Sequence, residues 1–395
     1  VVIPSAGREV DMRPGAVLAA SVVTQATVSA MFQGLPALGP ALQTTFGLST
    51  ATVGIMLGCV SVGASTVVIF WGRLLDRTTD RFIAAVGLFG AALFLICAAL
   101  ASRMSSGWVT GACLVAAGGL AVAPSLAITS GMARAFKGTK RFGLAFGIRQ
   151  AAVPVGGVLA SVTLPVIAYS HGLSLPFVVL AAAMVVSGIY VLFVIRHGTR
   201  TPRGTQLPAA EWHRILPLLV SCALYTFTQI GILALLTLYL FNERGWDPRT
   251  AALMYSIVMA SAIGSRIAVG HFADRLAGGA LRIYRVLGFV TAALLIASAA
   301  TVHFSIVVPL IVLAAISGMT WNPLIFALTV QVVPPARLGA TQGVVTSVIF
   351  LGAGLAPIII APVTSATSWS VGWLILAAAC IVGAVVAKVG FAQSR

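Results

Sequence analysis

Two arginines stand inside stretches that are otherwise apolar: Arg149 in Gly147-Ile148-Arg149-Gln150, and Arg266 in Gly264-Ser265-Arg266-Ile267. Burying a guanidinium costs about 2.5–3.5 kcal/mol on membrane-insertion scales, so such a residue is ordinarily kept for a ligand or a partner. Its planar fork donates two parallel hydrogen bonds and fits a carboxylate. The acids that could pair with it are Glu9, Asp11, Asp76, Asp80, Glu211, Glu243, Asp247 and Asp274. None lies in the middle of an apolar run, and His171, His197, His213, His271 and His303 also sit at or near run ends. The pattern points to an anion site with no embedded acid for proton coupling. The competing role for each arginine is snorkelling or a bond to backbone, since each lies roughly two turns from a run end.

Uncharged polar residues in the same runs are Gln25, Gln33, Tyr225, Gln229, Tyr255 and the pair Trp321-Asn322. A buried amide either bonds a neighbouring helix or meets a ligand. Trp321-Asn322-Pro323 is the strongest candidate of these, because the proline frees backbone carbonyls at a break and an aromatic beside an amide suits a small polar ligand. Cys59, Cys97, Cys113, Cys222 and Cys380 fall in apolar runs without a Cys-x-x-Cys or Cys/His pair. They read as small buried residues, and no metal or other cofactor is expected.

The elements that must position these residues are membrane helices. The chain has 395 residues, of which 59% are hydrophobic and 8% charged. Soluble domains are about a quarter charged, so this chain needs a bilayer. Twelve apolar windows are each near the ~20 residues a span requires: 16–38, 51–73, 82–102, 108–133, 143–168, 174–195, 215–240, 251–271, 284–302, 305–332, 340–364 and 371–391. They are too long and continuous for strands. No secretory leader with a small-residue cleavage site is read. Residues 196–213 form the one long polar interruption and read as a linker between 1–195 and 214–395, with 209–214 as a short surface helix.

Twelve spans put both termini on one side. That side then holds nineteen Arg and Lys residues and the other holds Arg103, Arg244 and Arg249. The bias places the termini in the cytoplasm and accounts for the net charge of +16 without nucleic acid. Arginine outnumbers lysine, which with abundant Ala, Gly and Val suggests a GC-rich bacterial source.

The chain also repeats itself. Gly72-Arg73-Leu74-Leu75-Asp76-Arg77 and Gly270-His271-Phe272-Ala273-Asp274-Arg275 both read Gly-x-x-x-Asp-Arg and lie 198 residues apart. Arg141 to Gly147 lies over Arg337 to Gly343 at an offset of 196, which brings Gly156 onto Gly352. A repeat at half the length points to a duplicated membrane domain. Gly72 and Gly270 are expected to let a neighbouring helix approach closely. Asp76 and Asp274 are placed to cap the N-termini of the eleventh and fifth spans, or else to pair with adjacent arginines in a solvated loop.

Twelve spans in two halves, a basic linker and the repeated loop resemble the major facilitator superfamily. The resemblance covers the whole chain. The first loop departs from the usual pattern, since Thr78-Thr79-Asp80-Arg81 stand where a glycine and paired basic residues are usual. The resemblance implies an all-α membrane fold of two pseudo-symmetric six-helix bundles, with spans 1, 4, 7 and 10 lining a central cavity. It also implies that Gly72, Asp76, Arg77, Gly270, Asp274 and Arg275 form latches closing the cytoplasmic side. The spacing of Arg266 to Gly270 and Asp274 is similar to that in monocarboxylate and oxalate transporters, where an arginine there binds the substrate carboxylate. Those families add an aspartate one turn earlier, where this chain has Ala262, or a lysine in the eleventh span, where it has none. Ala151 to Gly157 partly resembles the Gly-Pro-Gly-Gly signature of antiporters and reads mainly as a bend and close-packing site.

The expected function is secondary active or facilitative transport of a small organic anion by alternating access, by a monomer in the cytoplasmic membrane. The alternatives are a proton-driven efflux antiporter for drugs or lipophilic compounds, and a non-transporting sensor with a carrier fold. No constellation for catalysis is found, so an enzyme is not expected.

Overall fold

The computed structural model describes residues 14–75, 77–136, 142–195, 212–275, 279–301, 303–332 and 338–392. Long apolar runs have one solution in lipid, where every backbone N–H and C=O must be satisfied within the segment. Twelve helical spans long and apolar enough to cross a membrane result, and no strand occurs among the described residues. The first span is α1 (Pro14–Gly34), one 3-10 turn (Leu35–Leu38) and α2 (Gly39–Phe46). Next come α3 (Thr50–Leu75), α4 (Asp80–Arg103), α5 (Gly107–Ala135), α6 (Phe142–His171) and α7 (Ser174–Val194). The seventh span is α8 (Trp212–Leu238), which continues as a π turn over Tyr239–Glu243. It is followed by α9 (Pro248–Arg275) and α10 (Gly279–Ala300). The tenth span is α11 (Phe304–Thr320) plus α12 (Asn322–Val332), and α13 (Leu338–Ala366) and α14 (Trp369–Ala392) complete the set.

Three details depart from the sequence expectations. The first span extends past residue 38 to Phe46, because Pro36 and Pro40 interrupt the hydrogen-bond ladder without ending it. It stops at Gly47, whose φ of 62° suits a glycine cap, with its N–H on the Gln43 carbonyl. The surface helix expected at 209–214 is, from Trp212 onward, the first turn of α8, and its earlier residues lie outside those described. Of the five cysteines, only Cys222 and Cys380 are fully buried; Cys59, Cys97 and Cys113 are half-buried. The expected break at Trp321 is present, between α11 and α12.

After the first repeat loop, Thr78 and Thr79 do local work that accounts for the departure there. The Thr78 hydroxyl donates to the Leu74 carbonyl at 2.7 Å, ending α3. The Thr79 hydroxyl then accepts from the Phe82 N–H at 3.3 Å and caps α4, whose first turn carries Asp80.

Small residues set how closely helices pack, because lipid offers no hydrophobic drive between spans. A Cβ on Gly156 of α6 would strike the Ala26 carbonyl of α1, and one on Gly352 of α13 would stand 2.5 Å from the Ala223 carbonyl of α8. These two glycines are the pair matched by the internal repeat, and each docks its helix on the first helix of its own group. Gly156→Val and Gly352→Val are therefore each expected to lose most folded protein, read as the monodisperse fraction after detergent extraction. If both variants kept wild-type yield and melting temperature, the close approach would not be needed.

The first six spans and the last six meet along two crossing pairs, α3 with α13 and α6 with α9. The contacts gather toward the side opposite the termini. There Thr237 donates to the Pro36 carbonyl at 2.7 Å, and Tyr255 donates to the Gln33 carbonyl at 2.8 Å. The Asn242 amide donates to Gln43 at 2.9 Å and Thr50 at 3.2 Å. Ser161 and Ser256 share a hydrogen bond of 2.7 Å. Toward the termini the α3–α13 pair reaches Ser65, which donates to the Ser347 carbonyl at 3.1 Å. Beyond it, Gly72, Gly147, Gly264, Gly270 and Gly343 have nothing within 4 Å of where a Cβ would stand. Gly72 and Gly270 thus face open space in this state, in which the two groups of spans diverge on this side.

Candidate functional site

Arg149 projects from α6 into a polar spot built by three helices. It is 6% exposed. Its Nη2 donates to Gln25 Oε1 of α1 at 2.6 Å and to the Ser125 carbonyl of α5 at 3.3 Å. The Gln25 amide is oriented in turn, because its Nε2 donates to Ser29 Oγ at 3.2 Å. Both acceptors of Arg149 are neutral, and its Nε is buried without a hydrogen-bond partner. No ion pair to Arg149 is formed among the described residues. A buried cation with neutral acceptors and a spare donor has its own desolvation already met in folding, so only the dehydration of an incoming anion is left for the pairing to offset.

Arg266 is placed differently. Its Nε donates to the Met319 carbonyl at 3.1 Å, at the C-terminal end of α11 where the tenth span breaks. That is the negative end of a helix dipole, and a cation there also satisfies a carbonyl the break has freed. The neighbouring Ser265 accepts from Thr320 at 2.9 Å, so α9 holds the break by two consecutive residues. This Nε bond to backbone is of the kind that competes, in the sequence reading, with a ligand role for Arg266.

Asn322 opens α12 and donates through Nδ2 to Gln229 Oε1 of α8 at 2.9 Å and to the Met319 carbonyl at 3.3 Å. Gln229, Asn322 and the Arg266-bound carbonyl therefore form a second polar cluster. The remaining candidates lie elsewhere. Trp321 is 2% exposed and stands edge-on to Tyr225 and Tyr284, at ring-centroid distances of 5.8 and 6.0 Å. Tyr225 stacks on Tyr284 and donates to its carbonyl at 3.0 Å. Both belong to an aromatic core within the last six spans rather than to a cleft, although Trp321 Nε1 has no conventional acceptor. Tyr255 and Gln33 meet in the cross-group bond described above, through the Gln33 backbone rather than its amide.

Of the latch residues, Asp76 and the side chain of Asp274 lie outside the described residues, and Arg77 and Arg275 are exposed. Residues that sequence reasoning passed over are Ser29, Ser125, Tyr284, the Met319 carbonyl and the ring pair Phe32–Phe350.

Comparison with known proteins follows the same lines. The family model described as Major Facilitator Superfamily matches residues 21–357. An uncharacterized MFS-type transporter of Mycobacterium tuberculosis, found in strains CDC 1551 and H37Rv, is 27% identical over 299 residues, covering 72% of this chain. The chain spans 64% of the length of those relatives. Among solved structures, a bacterial homologue of the human lysosomal transporter Spinster, inward-facing and occupied, superposes with a TM-score of 0.73 at 16% identity, covering 96% of this chain and 97% of that one. A POT family transporter in complex with a thioalcohol-conjugated peptide gives 0.77 at 13% identity, covering 95% and 96%. A nucleoside transporter gives 0.70 at 15% identity, covering 95% and 99%. Identities this low speak for the fold alone.

Proposed function

The chain belongs to the major facilitator superfamily as a multi-pass membrane protein, and from that membership we propose that it is a carrier for a small organic anion, working by alternating access as a monomer. The observation that carries the anion assignment is Arg149, buried with neutral acceptors, an unsatisfied Nε and no ion pair among the described residues. A carboxylate supplies the missing charge and the missing acceptor together. Arg266 contributes positive potential from the break in the tenth span. With no embedded acid to carry a proton, a monoanion moving alone meets the membrane potential, about 2.3 kcal/mol per 100 mV, which favours export. Uptake requires exchange or a co-bound cation. Flux of labelled monocarboxylates, set against the matching amides and amines, in vesicles containing the purified protein tests the assignment. Transport of the amine in preference to the acid would end it.

Residues 1–195 and 214–395 are proposed as the two duplicated halves, joined by 196–213. Two observations support this: the crossing pairs, spans 2 with 11 and 5 with 8, exchange when the halves are exchanged, and Gly156 and Gly352 have matching roles. The basic side is proposed to be cytoplasmic, in the cell membrane, from the asymmetry of nineteen basic residues against three. Single cysteines replacing Thr139 and Ser170 should then label from inside and outside respectively; the reverse order would invert the map.

The latch is proposed for the state opposite to this one, in which the terminus side closes and Asp76 caps the start of α13. Asp76→Asn is expected to weaken that closure and raise the share of molecules with the terminus ends of α3 and α13 far apart, measured by spin-label distances. An unchanged distance distribution would leave Asp76 a solvated loop charge.

A further inference from the structure

We infer that the anion held at Arg149 is amphipathic: a monocarboxylate whose apolar body extends about 10 Å along α1 to the ring pair Phe32–Phe350. The inference rests on the anion assignment above and adds the chemistry of the rest of the molecule.

Gln25, Ser29, Phe32 and Pro36 are spaced four, three and four residues apart, which places them on one stripe of the first span. At its lower end Gln25 fixes Arg149. Seven residues further, Phe32 meets Phe350 of α13 with ring centroids 5.1 Å apart and planes at 54°. Seven residues at a helical rise of about 1.5 Å each separate the two levels by about 10 Å. Both rings are only half-buried, whereas Leu35 and Leu57 beside Phe32 are 2% and 7% exposed. Beside the Phe32 ring, between the two groups of spans, is a void of about 20 Å³. Phe32, Leu57, Val60, Ile230 and Ala353 contribute to its wall, and Ser61 is its one hydroxyl. A void with that lining does not hold water well, because water needs several polar partners. The terminal methyl of an aliphatic chain fills it, and the chain leading to it covers the exposed ring faces. A short hydrophilic acid held at Arg149 stops well below this level and uses none of it.

The test uses the full chain, purified, with a series of straight-chain monocarboxylates from acetate to decanoate, the matching primary amides, and polyhydroxylated acids of equal length. Binding is read by calorimetry. Affinity for the acids is expected to rise about fourfold per methylene until the body spans about 10 Å, and then to level off. Polyhydroxylated acids should gain nothing with length. Acids that bind more tightly than amides but with no dependence on length would overturn the amphipathic inference and leave the anion assignment standing. Amides that match acids at every length would overturn the anion assignment itself. Phe350→Ala should flatten the length series by about tenfold at its long end and leave acetate unchanged. Equal losses for short and long acids would show a merely structural ring, and the series on the unaltered protein decides the matter if that variant fails to fold.

Discussion

Arg149→Gln is expected to lower carboxylate transport by about 30-fold or more, the consequence of removing one partner from a buried, hydrogen-bonded charge pair worth about 2–5 kcal/mol. The same change is expected to leave the melting temperature of the empty protein equal or higher. Arg149 carries a buried charge without a counter-ion and an unsatisfied Nε, so the unliganded fold gains little from it. Arg149→Lys keeps the charge and loses the fork, so an intermediate loss is expected. Arg266→Gln should show the opposite division: a lower melting temperature, because the Met319 carbonyl at the end of α11 keeps only the longer Asn322 bond of 3.3 Å and loses the cation at the helix end, and a smaller loss of transport. Flux and thermal unfolding of the four proteins, each checked for insertion, give both readouts. Wild-type carboxylate transport by Arg149→Gln would make the anion assignment wrong.

The second large effect is expected from Gly354→Val. A Cβ at Gly354 would stand 2.5 Å from Val62 Cγ2, 2.7 Å from the Val62 nitrogen and 2.8 Å from the Gly58 carbonyl. A Cβ at Gly58 would strike the Gly354 carbonyl in return. Two of the groups facing Gly354 are backbone, so the strain is not relieved by turning a side chain. Helices α3 and α13 must part, and with them the contact that closes the side opposite the termini. The nearest neighbours of both glycines lie in the other six-span group, so each group should still fold. With the five native cysteines replaced, a cysteine in place of Leu57, which lines the void between the groups, should react at least about tenfold faster with a membrane-impermeant reagent in the Gly354→Val protein. Transport should be lost, because one of the two alternating states is no longer reachable. Unchanged labelling together with unchanged transport would show that the contact is not obligatory.

Much of the fold is legible in the sequence because an apolar run in lipid has few alternatives. All twelve windows correspond to spans, and the break at Trp321 follows from Pro323. Boundaries were less legible: Pro36 and Pro40 bend the first span without ending it, since tertiary packing on Thr237 and Leu238 carries the chain on to Phe46. At the site, Arg149 was legible as a charge out of place. Its partners were not, because Gln25 and Ser125 lie 124 and 24 residues away in sequence and only the bundle brings them together. Arg266 looked equivalent to Arg149 in composition. What separates them is direction: one meets a neutral amide, the other the end of a broken helix. Trp321 and Tyr225 show the same limit, because an aromatic in a span gives no sign of whether it faces a cleft or its own bundle.

The six hydrogen bonds described above between the two groups of spans link neutral donors to neutral acceptors: hydroxyls, amides and backbone carbonyls. Between helices in lipid such bonds average about 0.6 kcal/mol. Together these bonds contribute only a few kcal/mol to this state, beside the close packing of α3 on α13. A ligand inverts the ratio of the two states when its differential affinity exceeds the bias between them. Neutral bonds are also not screened by ions. The Asp76 cap proposed for the opposite state is screened. The resting populations should therefore respond to substrate concentration, and high ionic strength should move them toward this state.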